Sequence, residues 1–233
     1  NIHVLCDIPV VANLAEAGAA AIGANGLLAR VGAYYHDIGK LKRPLYFKEN
    51  QMGDNPHDRT DPSVSSAILT VHPRDGVAMA KKYRVPKLIL DIIEQHHGDT
   101  PTLYFYDRAL KQNADLKVDV DEFRYAGPRP QTAEAAVVML ADTVEAAARA
   151  SGDSDPASTE QLLRKLIRAK MDDGQLGESP LTLRDLEKIC VAFHTVLTGV
   201  FHERVEYPAA GDAQERRLLP EGERREAQEA DRV

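Results

Sequence analysis

Four of the eight histidines fall in three short stretches, His36-Asp37, His72 and His96-His97, and Asp142 adds a carboxylate inside an apolar run. Imidazole and carboxylate together form a borderline donor set suited to Fe, Mn, Co or Zn, whereas an all-oxygen set would point to Mg or Ca. His36 and Asp37 interrupt an apolar helical pattern, His72 stands at a helix end, and His96 shares a face with Ile89, Ile92 and Ile93. Asp142 breaks the run Val137-Val138-Met139-Leu140-Ala141, one turn after Val138. Buried polar groups need partners, and a shared cation is the most economical one for several inward imidazoles and carboxylates. The expected metal ligands are therefore His36, Asp37, His72, His96, His97 and Asp142. His194 and His202 have no such company and are expected to be ordinary core residues.

These side chains must be carried by helices, because helical punctuation recurs while alternating strand patterns bounded by Asn-Gly turns are nearly absent. Leu27, Val31, Tyr34 and Ile38 fall at helical spacing, which predicts a helix from Gly26 to at least Gly39. Asp61-Pro62 reads as an N-cap with proline at the first helical position, and Pro73 should stop that helix near His72. Val85-Pro86 opens the next helix, which ends at Gly98. Thr132 caps a long helix through Val137, Val138, Ala141, Val144 and Ala148. Asp155-Pro156 starts another, terminated by Gly174, and Thr182 starts the last, with Leu186, Ile189, Phe193, Val196 and Val200 as its stripe. Between Leu110 and Gln131 the pattern lapses into a Pro- and Gly-bearing loop, Tyr125 to Pro130, expected to border a site. The fold class is all-α: a single-domain helical bundle over residues 1–210 with a metal site among the helices. Residues 211–233, rich in Glu, Arg, Ala and Gln, form a charged tail expected to be frayed or disordered.

Composition removes several function classes. Lys and Arg number 29 against 36 Asp and Glu, and the net charge of −7 disfavours a phosphate-tracking face for duplex nucleic acid. A small anionic ligand remains compatible, because bound cations invert the local field. Cys6 and Cys190 are too few for a disulfide framework, and a reducing cytosol is the default. No apolar run approaches the ~18 residues of a membrane span, and Asn1 to Asp7 lacks the basic region of a signal peptide. The chain is expected to be soluble and, starting without Met, part of something longer.

Tyr35-His36-Asp37-Ile38-Gly39-Lys40 resembles the signature of HD-domain phosphohydrolases. The surrounding pattern is similar to one subfamily, the cytoplasmic HD domain of seven-transmembrane HD receptors, or PgpH-type cyclic-di-AMP phosphodiesterases. The similarity runs in order through Val11 to Ala17, Arg43-Pro44, Tyr46-Phe47, Glu49-Asn50-Gln51, Asn55-Pro56-His57-Asp58, Ile93 to Gly98, Tyr104 to Tyr106 and Met139 to Asp142, covering about residues 8 to 205. It implies two divalent transition-metal ions, Fe or Mn: His36, Asp37 and Asp142 at one, and His72, His96 and His97 at the other with Asp37 as the bridge. The family places a further histidine near the start of its first helix, where this chain has Asp7, which either ligates in its place or caps a helix beginning at Pro9.

The resemblance further implies hydrolysis of cyclic di-AMP to linear pApA, with Asp37 holding both ions. Lys40, or Arg43, either contacts a phosphate oxygen or is an exposed helix-end cation. Tyr104, Phe105, Tyr106 and Tyr125 offer stacking faces for adenine, with Arg124 or Arg129 adding charge; core packing also explains the aromatics. The expected substrate contacts are Lys40, Arg43, Tyr106 and Arg129, and His57 is assigned no ligand role. Expected partners are the cyclic dinucleotide and a membrane reached only through segments absent from this chain, as in the cytosolic domain of a bacterial inner-membrane receptor; a homodimer stays open. Two alternatives remain, another HD nucleotidase or dNTP hydrolase and a nucleotide-sensing module with reduced turnover.

Overall fold

The computed structural model describes residues 8–51, 53–112, 117–152 and 155–202. Asp7, His3, the His202 side chain and the tail from 203 onward lie outside the described residues. The chain divides into the units Asn1–Thr198 and Gly199–Val233, and the core and the site belong to the first. Nine α-helices are described: α1 (Ile8–Ala21), α2 (Gly26–Tyr35), α3 (Pro62–Thr70), α4 (His72–Lys82), α5 (Lys87–Gln95), α6 (Leu103–Gln112), α7 (Ala133–Ser151), α8 (Pro156–Asp172) and α9 (Leu183–His202). Among the described residues there is no strand, only an isolated bridge between Pro101 and Arg124. No described helix is long and apolar enough to cross a membrane.

The spine is α7. Every residue from Ala135 to Ala141 is buried, so this stretch has no solvated face and must be surrounded. It packs against α1, α2, α5 and α8. Thr132 caps it, accepting from the Ala135 amide, and Gly152 ends it in the left-handed region at φ 62°. The Asp61-Pro62 and Asp155-Pro156 starts form as the caps dictate, with Asp61 accepting from the Ser63 amide and Asp155 from the Ser158 amide.

Several expectations need correction. The helix beginning at Gly26 ends at Tyr35, not beyond Gly39: Asp37 leaves helical geometry at φ −102°, ψ 8°, and Ile38–Lys42 continues as a 3-10 turn. On α2 Leu27 is 67% and Tyr34 39% exposed, whereas Val31 and Leu28 pack against the Ala80, Ile89 and Ile93 cluster and Ala29, Gly32 and Ala33 are buried. Small residues win the inner face because they let α5 come close; a Cβ on Gly32 would run into Ile92. Pro73 does not merely stop a helix, since it occupies the first turn of α4, where a missing N–H is no loss. On α9 the stripe is completed by Cys190 and Leu197, with Val196 only half-buried and the Val200 side chain outside the described set.

The 3-10 turn lies against α4, and Gly39 makes that possible: a Cβ there would collide with the His72 carbonyl and lie 2.6 Å from the Gly76 nitrogen. Backbone cannot swing aside as a flexible side chain can, so Gly39→Ala should cost about 1–3 kcal/mol or more. For a chain of this size that lowers the melting temperature by about 2–12 °C. Gly199→Ala, within α9 and with an added methyl that meets nothing within 4 Å, should leave it unchanged or raise it, by up to about 1 kcal/mol of stability. Thermal unfolding of the two variants side by side checks the contrast.

Candidate metal centre

Three imidazoles are oriented by the same device. Nδ1 of His36 donates to the Ala33 carbonyl at 2.6 Å, Nδ1 of His72 to that of Leu69 at 2.7 Å, and Nδ1 of His96 to that of Ile93 at 2.7 Å. Each carbonyl lies in the last turn of a helix, α2, α3 or α5, where backbone acceptors have lost their helical partners. The donation commits the Nδ1–H of each ring, so a neutral ring turns the lone pair of Nε2 toward the site. Gly98, left-handed at φ 55°, ends the His96-His97 turn.

These Nε2 nitrogens converge on Asp37. His36 Nε2 is 3.2 Å from Asp37 Oδ2, and His72 Nε2 is 3.2 Å and His96 Nε2 3.7 Å from Oδ1. His72 Nε2 and His96 Nε2 are 3.1 Å apart, lone pair facing lone pair. On the other side His36 Nε2 lies 3.5 Å from Asp142 Oδ1, and His97 Nδ1 3.9 Å from Asp142 Oδ2. Nε2 of His36 and Oδ1 of Asp37 are buried without a hydrogen-bond partner. Acceptors packed against acceptors fit a cation and little else. Two donor sets result, each with its atoms within 4.8 Å of one another: Asp37, His72, His96 and His97, and His36, Asp37 and Asp142. All six sequence-predicted ligands are thus brought together, with Asp37 in both sets. Nitrogen and carboxylate oxygen in this mixture suit a divalent transition ion.

The same packing sets the titration tendencies. Burial pushes His36 down, but the Asp37 and Asp142 carboxylates outweigh it and raise it to about 10, so without an ion its Nε2 takes up a second proton, the positive charge that a metal ion would replace. Burial drives His96 down to about 4 and His97 well below the usual imidazole range. Asp37 is held low against its burial by His36 and Lys40.

Lys40 is not the exposed helix-end cation of one sequence alternative. Its Nζ lies 2.6 Å from Asp37 Oδ2 and 2.9 Å from Glu49 Oε1, with the side chain 16% exposed. Two carboxylates near the site have no role assigned from the sequence. Glu49 carries no periodic signal, whereas Glu145, one helical turn beyond Asp142 on α7, was accessible from the spacing. Glu145 is 6% exposed and lies 3.6 Å from Arg149, and burial and then Asp142 raise its carboxyl to about 7.

A cavity of about 610 Å³ opens at this centre, reached by Lys40, His72, His97 and Asp142 and walled by Tyr46, Phe47, Tyr104, Phe105 and Tyr125. Tyr125 stacks on His97 with centroids 4.2 Å apart, so the Tyr125 to Pro130 loop does border the site. Three expected substrate contacts lie elsewhere. Arg43 pairs with Asp75 at 2.9 Å, Arg129 is engaged by both oxygens of Asp99 at 3.0 Å, and Tyr106 packs on Phe123. None of the three lines the cavity. His57, given no role from the sequence, does.

A model of the HD domain matches residues 10–147. The chain belongs to the HD-domain family. Among its HD relatives, the cyclic-di-AMP phosphodiesterase PgpH of Bacillus subtilis is 50% identical over 202 residues, 86% of this chain and 28% of that protein. PgpH of Listeria monocytogenes is 44% identical over 200 residues, 85% of this chain and 28% of that protein. The chain therefore spans little more than a quarter of these relatives. The crystal structure of the L. monocytogenes PgpH HD domain in complex with cyclic di-AMP superposes with a TM-score of 0.82 at 42% identity, covering 88% of this chain and 94% of that one.

Glu145 gives a test of the electrostatics. A carboxyl raised to about 7 is favoured neutral in the fold, so its contribution is intact below the ordinary carboxylate range and is lost as pH climbs through 7. In metal-free protein, Glu145→Gln should match wild type near pH 4 and be the more stable near pH 8, by on the order of 1 kcal/mol, or about 2–4 °C. Melting curves across that range check the sign.

Proposed function

We propose that this chain is the catalytic HD domain of a metal-dependent phosphodiesterase that opens cyclic di-AMP to linear pApA. The observation that carries the reading is the pair of donor sets sharing Asp37 at the floor of a cavity large enough for a nucleotide. The PgpH relatives, one of them with cyclic di-AMP bound, supply the substrate class. Bound at the two sets, divalent ions, iron or manganese, would neutralise charge on the phosphoryl oxygens and activate water for in-line displacement.

The remaining work belongs to the chain's own residues. His36, Asp37 and Asp142 form one set, and His72, His96 and His97 with Asp37 the other; the rings of His36, His72 and His96 are oriented by the backbone carbonyls beneath them. The Lys40 ammonium has three donors, of which Asp37 and Glu49 engage two; the third is available to a non-bridging phosphate oxygen. Tyr125, lying over His97, keeps water from that side of the ring. Water adds to phosphorus, the bond to the 3′ oxygen breaks, and the 3′ oxygen takes up a proton. The domain lies on the cytosolic side of a larger bacterial inner-membrane receptor whose membrane segments fall outside this chain.

Purified protein supplied with Mn(II), or with Fe(II) under anaerobic conditions, should convert cyclic di-AMP to pApA. Turnover of dNTPs alone would replace this reading with a nucleotidase, and binding without hydrolysis with a sensing module. The shared ligand yields a second prediction. Elemental analysis should find about two ions per wild-type chain, none in Asp37→Ala and about one in His97→Ala. Two ions retained in Asp37→Ala would contradict the bridging role.

A further inference from the structure

The part of the cavity lined by Gln51, Asn55 and His57 is polar and incompletely partnered. Gln51 Nε2 donates to the Leu45 carbonyl at 3.2 Å and to Asn55 Oδ1 at 3.1 Å. Asn55 Oδ1 also accepts from the His57 amide at 3.0 Å. A carbonyl only accepts and a backbone N–H only donates, so neither amide can be flipped without losing a bond. Both hydrogens of the Gln51 amide and both lone pairs of the Asn55 oxygen are thereby committed. What remains is one acceptor, Gln51 Oε1, beside one donor, Asn55 Nδ2, on two residues that line the cavity.

His57 Nδ1, on a further cavity residue, is buried without a hydrogen-bond partner. Aromatic surface lies beside the pair: Tyr46 sits edge-on to His57 at 5.3 Å, and Tyr104, a cavity residue, is 67% exposed and presents an uncovered ring. The span to the metal centre is short, because Phe47, next to Tyr46, is edge-on to His72 at 5.6 Å.

We infer that Gln51 and Asn55 read the base of the substrate, as a fixed acceptor and donor that match the adenine edge and oppose that of guanine. Adenine presents an amino donor beside a ring-nitrogen acceptor, so N6 donates to Gln51 Oε1 and the ring nitrogen accepts from Asn55 Nδ2. Guanine turned the same way sets its O6 acceptor against Gln51 Oε1, leaving two acceptors opposed and desolvated. Tyr104 supplies the stacking face. This assignment rests on the cyclic-dinucleotide reading above and gives it a base preference.

Titration calorimetry of the whole chain with cyclic di-AMP and cyclic di-GMP tests it without requiring turnover, so a wild type that binds but does not hydrolyse counts against the catalytic reading and leaves this one measurable. Wild type should prefer cyclic di-AMP by about ten- to a hundredfold. Asn55→Asp keeps the acceptor for the His57 amide but turns the donor into an acceptor, matching the N1 and N2 donors of guanine, and should move the Kd ratio at least tenfold toward cyclic di-GMP. Gln51→Met removes the acceptor and should weaken cyclic di-AMP more than cyclic di-GMP. If Asn55→Asp folds poorly and loses both ligands alike, Gln51→Met decides. A Kd ratio within twofold of wild type in the folded variants, or a wild type without base preference, overturns the assignment.

Discussion

Around Asp37 acceptors face acceptors. Three imidazoles have spent their N–H on backbone carbonyls, and their remaining lone pairs meet one another and a carboxylate at 3.1 to 3.7 Å. In water such groups would be hydrated; buried, they repel unless positive charge lies among them. The helices serve this need twice. The last turns of α2, α3 and α5 supply the carbonyls that orient the rings, and those same turns carry the negative end of each helix dipole, which favours a cation. One set of helix-end carbonyls thus orients three imidazoles and sets the sign of the local field.

The rest of the bundle holds these helix ends in register. The buried spine α7 brings Asp142 to His36 Nε2, the nitrogen that Asp37 also approaches. Small residues on α2, above all Gly32 against Ile92, let it sit close to α5. Gly39 lets the turn after Asp37 press on the start of α4, so His72 and Asp37 are coupled through backbone packing as well as through the site. Lys40, clamped between Asp37 and Glu49, adds positive charge at the rim where an anionic substrate would enter.

Much of this was legible in the sequence for reasons that can be named. Histidines and carboxylates inside apolar periodicity have few explanations, and the six residues that gather in the two donor sets were singled out by that conflict. The starts at Asp61-Pro62, Thr132 and Asp155-Pro156 are local chemistry, complete within four residues. Long-range pairing was not legible. Nothing near Arg43 announces that Asp75, 32 positions away, will take it, or that Asp99 will take Arg129. Consecutive residues on a helix point about 100° apart, so Tyr104-Phe105-Tyr106 contains residues facing the cavity without telling which; Tyr104 and Phe105 line it and Tyr106 does not. The early end of α2 was hidden because Ile38 keeps the period after the helix has stopped.

Diffraction from crystals of the metal-loaded protein, collected on both sides of the iron or manganese absorption edge, interrogates the centre most directly. Two anomalous peaks are predicted, one enclosed by His36, Asp37 and Asp142 and the other by Asp37, His72, His96 and His97, with an Asp37 oxygen on each. An absence of peaks in protein soaked with excess metal, or ions bound only away from Asp37, would contradict the account.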